Sequence, residues 1–199
     1  PATTLGISVR PTNDAPTLDV SGVVTTTAAS SIPAANLELD EDEAVGLSFT
    51  GFVIDDLDDI HDPNVIQLQV SLDVLHGGVI LGTTTGLTFT TQTPSFVLGT
   101  DEVQPLVANT FQTLVFRGTL TDLNAALNSL TYYGDANFNT GTLSERLRID
   151  VNDLGNTDYR TASFPAVSTD PSDPRALTAA TPATTLGISV RPTNDAPTL

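Results

Sequence analysis

Four amino-acid types are missing from the 199-residue chain: cysteine, methionine, tryptophan and lysine. Without cysteine there are no disulfides, no thiol chemistry and no zinc sites built on cysteine. The sequence has no apolar run long enough for a membrane-spanning helix, and no signal peptide opens it. We interpret the chain as one unit of a longer protein, so the lack of a targeting signal carries little weight.

Basic residues are also scarce. Seven arginines stand against 24 acidic residues, which gives a net charge of −17. Nucleic acids and anionic membranes both need basic patches, so neither nucleic-acid binding nor membrane insertion is expected. A surface of one charge sign suits a soluble, extended array, whose neighbouring domains repel each other unless cations lie between them.

The longest motif is a repeat of the chain's own beginning. The segment PATTLGISVRPTNDAPTL fills residues 1–18 and again 182–199, a shift of 182 − 1 = 181 residues. An identity of this length predicts a tandem array. The predicted parts are the last strand of a preceding repeat (1–10), a linker (11–18), one domain (19–192) and the start of the next linker (193–199).

Alternation of apolar and polar residues predicts strands through most of that domain. The clearest segments are VIQLQVSLD (65–73), RLRIDVND (146–153) and TTLGISVRP (184–192). Weaker candidates are LELD (37–40), GLSFTGFVI (46–54), GGVIL (77–81), GLTFT (86–90), TLVFRGTL (113–120) and LTYY (130–133). About eight short strands separated by turns indicate an all-β, antiparallel β-sandwich.

Two segments depart from this alternation. Leu123, Ala126, Leu127 and Leu130 follow helical spacing, which predicts a short helix over about 122–129, capped by Thr121 or Asp122. Residues 154–183 show no period and contain four prolines, so they are predicted to form a long loop before the last strand.

Several motifs together carry a family resemblance. NDAP after an alternating strand resembles the linker between cadherin domains and between bacterial cadherin-like repeats. LHGGVILGTTTGLTF, FRGTLTDLNAALNSLTYYGDANFNTGTL and IDVNDLGNT, in that order, are similar to a repeat of giant Gram-negative surface adhesins of the repeats-in-toxin type. The resemblance covers roughly 37–156 and both linker copies. It implies a secreted, cell-surface, calcium-dependent extender domain with an Ig-like or cadherin-like fold.

The chain departs from that family in two respects. The loop 154–183 replaces the compact hairpin usual at this point. The glycine-rich nonapeptide calcium repeats found at the C-termini of such proteins are absent from the sequence.

Acidic residues are clustered where calcium ligands would be needed. Calcium takes six to eight oxygen ligands, and the acids concentrate in DEDE (40–43), DDLDDIHD (55–62), VND (151–153) and the two linker copies. No EF-hand loop is present, so a site would have to be assembled from several loops. If strands alternate in direction as in cadherins, DEDE lies at the end where the chain leaves the domain, and the other two clusters lie where it enters.

This placement predicts one calcium site at each junction between repeats. The predicted ligands are Asp14, Asp56, Asp58 and Asp153 at the incoming end, and Glu41, Glu43 and Asp195 at the outgoing end. The partners of the domain would then be the neighbouring identical repeats of the same chain. Solvated surface carboxylates are the alternative for each of these residues.

No motif predicts an enzyme. His76, Gly77 and Gly78 resemble an esterase oxyanion segment, but no G-x-S-x-G elbow accompanies them, and two glycines between strands favour a hairpin turn. His61 lies in the acidic loop without an evident role. GVILGTTTG lacks the lysine of a phosphate-binding loop. Paired carboxylates are plentiful, but no aromatic platform for a sugar accompanies them.

The sequence therefore predicts a calcium-stabilised spacer repeat that projects a terminal binding domain for adhesion or biofilm formation. The alternative is an adhesin module that itself binds a carbohydrate or a host protein through loop 154–183.

Overall fold

The structure, a computed structural model, describes residues 14–26, 31–33, 37–57, 67–94, 109–141, 144–154 and 183–194. These residues contain thirteen strands and one helix. In chain order they are β1 (Thr17–Asp19), β2 (Val24–Thr26), β3 (Ser31–Pro33), β4 (Glu38–Asp40), β5 (Leu47–Thr50), β6 (Val53–Asp55), β7 (Gln67–Val74), β8 (Gly78–Leu81), β9 (Thr88–Pro94), β10 (Phe111–Thr119), α1 (Leu120–Leu127), β11 (Leu130–Tyr133), β12 (Glu145–Asn152) and β13 (Thr184–Arg191).

The strands form curled sheets around one core. The larger sheet has the order β3-β2-β5-β11-β8-β10-β7-β12-β13-β4, with β9 added beside β10, and β1 pairs with β6 in a second, two-stranded sheet. The prediction of an all-β, sandwich-like fold with one short helix is confirmed.

Pairing is antiparallel except between β4 and β13, which run parallel with Ser189 opposite Glu38 and Arg191 opposite Asp40. The predicted antiparallel arrangement thus contains one parallel pair. The two strands are far apart in the sequence and run in the same direction, so no hairpin joins them.

The core is built from the alternating positions that the sequence identified. Leu68, Val70 and Leu72 of β7 are fully buried, as are Leu147, Ile149 and Val151 of β12. Three side chains of β13 extend the same layer: Leu186, Ile188 and Val190. Each such side chain contributes roughly 1.5–3 kcal/mol when it leaves water, so these strands supply much of the stability.

The predicted strand 46–54 is broken in the middle. Gly51 lies between β5 and β6 with a φ of +95°, and a Cβ at this position would lie 2.2 Å from the carbonyl oxygen of Gly22. Only glycine allows this backbone conformation together with so close an approach. The break releases the chain from the larger sheet, and β6 pairs with β1 instead.

The predicted helix is present but begins two residues earlier than expected, at Leu120. Its N-cap is Thr119 and not Thr121 or Asp122: the Asp122 amide donates to Thr119 Oγ1 at 3.2 Å, and that hydroxyl donates to Asp122 Oδ2 at 2.7 Å. Leu123, Ala126 and Leu127 are buried, as their spacing predicted. In the part of the chain that is described, no helix has the length and apolar character needed to cross a bilayer.

The opposite side of the helix binds backbone. Asn124 and Asn128, one turn apart, direct their side-chain amides at residues 51–54 of the broken strand. Asn124 accepts from the Ile54 amide at 2.7 Å and donates to the Ile54 carbonyl at 2.9 Å. Asn128 accepts from the Gly51 and Phe52 amides and donates to the Phe52 carbonyl. The two asparagines thus provide hydrogen-bond partners to residues 51–54 in addition to the pairing of β6 with β1.

The turn at His76 and Gly77 does not form the expected hairpin. The described residues of β8 pair with β11 and with β10, while β7 pairs with β10 and β12. The segment is a corner between non-neighbouring strands. Gly77 has a φ of +119°, and a Cβ there would lie 2.2 Å from the Tyr133 carbonyl oxygen. Gly77 is therefore needed for the backbone conformation of this corner.

Three short strands, β1 to β3, lie in a stretch where no strand was predicted, and β1 begins inside the predicted linker 11–18. The predicted strand over residues 1–10 lies outside the described residues. The loop predicted over 154–183 is described only at Leu154 and Ala183.

Candidate linker sites at the two ends of the sandwich

The chain enters and leaves the sandwich at opposite ends. The outgoing end is defined by Asp40 and Arg191, the last residues of the parallel strands β4 and β13. Because β12 is antiparallel to β13, it begins at this end with Glu145 and finishes at the opposite end with Asn152.

That opposite end is the incoming end. Asn152 pairs with Gln69 near the start of β7, and Gln67 pairs with Thr119, so helix α1 begins there. The helix in turn holds β6 through Ile54. Since Thr17 at the start of β1 lies opposite Asp55, the chain enters at this end.

At the outgoing end, Glu41 lies beside the departing chain. Its carboxylate accepts hydrogen bonds from the Thr193 amide at 2.8 Å and from Asn139 Nδ2 at 3.0 Å, and only 8% of the residue is exposed. Glu43 is partly exposed in the same turn. Asp195, the third predicted ligand here, lies outside the described residues. The structure thus brings Glu41 to the linker, as strand direction predicted, with each carboxylate oxygen on a protein donor.

At the incoming end the structure places Asp14, Asp56 and Asp153. Asp14 is exposed, whereas Asp56 is 2% and Asp153 0% exposed. The pairing of Thr17 with Asp55 runs antiparallel, which directs Asp14 toward the residues that follow β6. Asp153 follows the last residue of β12 at the same end. The fourth predicted ligand, Asp58, lies outside the described residues.

The donor chemistry at both ends suits a hard cation, because every candidate supplies oxygen. Within the described ranges, however, no group of three or more His, Asp or Glu side chains is arranged to hold a metal ion. The described carboxylates alone do not form such a group. A site would require ligands beyond them, for which Asp58, Asp195 and a neighbouring repeat are the candidates.

No protein-family model matches the chain, and a search of curated proteins found no match.

Glu145, a buried carboxylate near the outgoing end, was not among the residues predicted from the sequence. Glu145 is 3% exposed, and its carboxylate accepts from the backbone amides of Leu75, His76 and Arg146. The Tyr132 hydroxyl donates to the His76 carbonyl beside it. Glu145 shares its face of β12 with Leu147, Ile149 and Val151, so an acid at an inward position was visible in the pattern ERLRIDV.

Glu145 should make stability depend on pH. Burial, the largest influence, raises the pKa of this carboxyl from 4.5 to about 7, against the lowering effect of the three amides. The folded chain then keeps the proton that the unfolded chain releases, so the free energy of unfolding falls as pH rises from about 4.5 to about 7. The effect on the free energy of unfolding is on the order of 3 kcal/mol across that window.

Denaturant melts of the wild type and of Glu145→Gln, in chelator between pH 4 and 8, test this dependence. The difference in unfolding free energy between the two proteins should change across the window and stay constant above it. Asp150→Asn, on the outer face of the same strand, is the control. Parallel curves for wild type and Glu145→Gln would contradict the assignment.

Proposed function

We propose that the chain is a structural spacer repeat of a secreted, cell-surface adhesin, and that it acts mechanically and not as an enzyme. The observation that carries the proposal is the position of the two ends: β1 begins at one end of the sandwich and β13 finishes at the other. Domains connected in this way extend an array lengthwise, because each adds its long dimension to the chain.

The repeated segment fits the same role. Its second copy provides β13, which lies inside the sheet between β12 and β4 and is followed after two residues by NDAP. Each repeat would thus close its own core just before the next linker begins. The net charge of −17 keeps such an array soluble and opposes collapse of one domain onto the next.

Calcium at the junctions is part of the proposal. Asp14, Asp56 and Asp153, with Asp58, would hold the ion at the incoming end, and Glu41, Glu43 and Asp195 would contribute at the outgoing end. A bound calcium would neutralise carboxylates that otherwise repel across the junction. Since the described residues do not complete a site, further ligands would come from Asp58, Asp195 or a neighbouring repeat.

Small-angle scattering of two consecutive repeats tests the spacer function. The distribution of interatomic distances should narrow when calcium is added, because the linker becomes fixed. Asp14→Asn combined with Asp195→Asn should remove the narrowing while each domain stays folded. Asp73→Asn with Asp150→Asn, two acids on the outer face away from the ends, is the matched control. Identical distributions with and without calcium would rule the proposal out.

Calcium should also raise the melting temperature of the single chain. A metal that binds only the folded state stabilises it by RT ln(1 + [Ca]/Kd), which is about 0.4–1.4 kcal/mol per site at about 1 mM calcium for dissociation constants of roughly 10⁻⁴–10⁻³ M. The measurement is a melt in calcium and in chelator, with magnesium as the comparison ion. A melting temperature that chelator leaves unchanged would contradict binding by this repeat alone.

One observation favours a second candidate function, a binding module. β12 and β13 are adjacent antiparallel strands, so a turn of a few residues would connect them. The chain instead places 31 residues (153–183) between Asn152 and Thr184, at the incoming end. Excess chain at a domain end is a common place for binding residues. Binding of the chain to a glycan array, lost when 156–181 is replaced by a short Gly-Ser turn, would support the module over a pure spacer.

A further inference from the structure

The last strand is paired on one edge over its first part and on the other edge over its last part. β13 pairs with β12 on one edge from Thr184 to Ile188, and with β4 on the other edge from Ser189 to Arg191. The Ser189 amide donates to the Leu37 carbonyl at 2.7 Å, and the Glu41 amide donates to the Arg191 carbonyl at 2.8 Å.

Side chains add to this hold where the chain leaves the domain. Arg191 donates through Nε to Asp40 Oδ1 at 2.9 Å and forms a longer ion pair with Glu38 at 3.6 Å. The Glu41 carboxylate reaches past the end of β13 and accepts from the Thr193 amide. Hydrogen bonds to charged groups are stronger than neutral ones.

A loop of residues 137–141 holds the other side of the same segment. The Thr140 amide donates to the Val190 carbonyl at 2.9 Å, and the Val190 amide donates to Thr140 Oγ1 at 3.0 Å. Asn139 of this loop donates to Glu41. The loop and the β4 turn are thereby joined to each other as well as to the outgoing chain.

The direction of these bonds decides how they respond to tension. A pull on the incoming and outgoing chain acts at opposite ends of the sandwich, so β13 is drawn along its own axis. Bonds on both edges of the strand are then loaded together. A pull that separates two strands at one end loads their bonds one after another, and each breaks alone.

We propose that β4, the Glu41 turn and loop 137–141 form a clamp that resists lengthwise tension by holding β13 in shear. The clamp gives the proposed spacer a load-bearing role and in that sense rests on it. It requires no calcium, because its bonds are made by protein groups. Glu41 is then a clamp residue in addition to a candidate calcium ligand.

The direction of pulling provides the test. Because the chain has no cysteine, pairs of introduced cysteines can carry handles for single-molecule force spectroscopy on the full chain in chelator. Ala15→Cys with Asn194→Cys pulls along the chain. Ala44→Cys with Asn194→Cys pulls the β4 turn away from the outgoing chain at one end. The first pair should require a several-fold higher force for the first unfolding event, and equal forces would overturn the clamp.

Two variants test whether the clamp residues resist the load. Glu41→Ala with Arg191→Ala should raise the unfolding rate at a fixed lengthwise load by about tenfold or more, because charged hydrogen bonds at the loaded strand are lost. Arg148→Ala removes an exposed ion pair with Asp150 on β12 and should leave that rate near the wild-type value. An unchanged rate in the clamp variant, or an equal rise in the control, would overturn the assignment.

The clamp and the proposed spacer function can be tested separately. If the clamp variant does not fold, the comparison of pulling directions, which leaves Glu41 and Arg191 in place, still decides. Force measurements in chelator test the clamp, and calcium-dependent scattering of two repeats tests the spacer function. Either proposal can therefore fail without the other.

Discussion

Ending the chain at residue 182 is expected to abolish the cooperative unfolding transition. The truncation removes β13, and with it the buried side chains of Leu186, Ile188 and Val190. Together these three contribute roughly 5–9 kcal/mol of burial, which is comparable to the whole stability of a typical domain, about 5–15 kcal/mol. The inward face of β12 and the edges of β12 and β4 would be left open to water.

The chain supplies its own control for this truncation. The segment TTLGISVR occurs at 3–10 as well as at 184–191, so deleting residues 1–10 removes the same eight residues from the other location. Because β13 already occupies the position between β12 and β4, this deletion should change the unfolding free energy little. Thermal melts followed by near-ultraviolet circular dichroism compare the two. Equal losses would mean that both copies are built into one fold.

Strand direction was the part of the structure that the sequence predicted best. Alternation is a local property, and Leu147, Ile149 and Val151 had to share one face whatever β12 paired with. Counting strands then placed DEDE at one end and Asp153 at the other, and the pairing of β13 with β4 and β12 agrees. Local periodicity and chain direction require no knowledge of partners.

Features that depend on a distant partner could not be predicted. The break at Gly51 exists because Gly22 comes close to it. β1 to β3 are three residues each, too short for alternation to stand out from a loop. The helix cap shifted to Thr119 because β10 continues directly into α1, and a strand pattern overlaps the cap position there.

The candidate sites show the same difference between local features and features that depend on a distant partner. The sequence placed Glu41 at the outgoing linker, and in the structure its carboxylate accepts hydrogen bonds from the Thr193 amide and the Asn139 side chain. Which donors a carboxylate meets depends on the loop 137–141, almost a hundred residues away in the chain. Composition and spacing therefore identify the end of the domain but not the contacts made there.

Replacing Asn124 and Asn128 together with alanine should be among the most damaging changes in the helix, although alanine is the better helix former. At Asn124, which lies inside the helix, propensity alone predicts a gain of roughly 0.5 kcal/mol. In the structure the two amides satisfy backbone groups of Gly51, Phe52 and Ile54. A buried backbone group left without a partner costs about 1–3 kcal/mol, so the double variant should lose several kcal/mol and lower the urea midpoint.

The loss should follow from the backbone groups and not from the helix. β6 is three residues long and pairs with β1 over the same three residues, so without the asparagines its other edge has water as the replacement partner. Helical circular dichroism should therefore persist to the melting point, while amide exchange at Phe52 and Ile54 accelerates first. Ala125→Asn, which adds an asparagine on the exposed side of α1, is the matched control and should cost less than about 1 kcal/mol. A double variant as stable as the wild type would show that residues 51–54 find other partners, and that the asparagines are not what joins the helix to the broken strand.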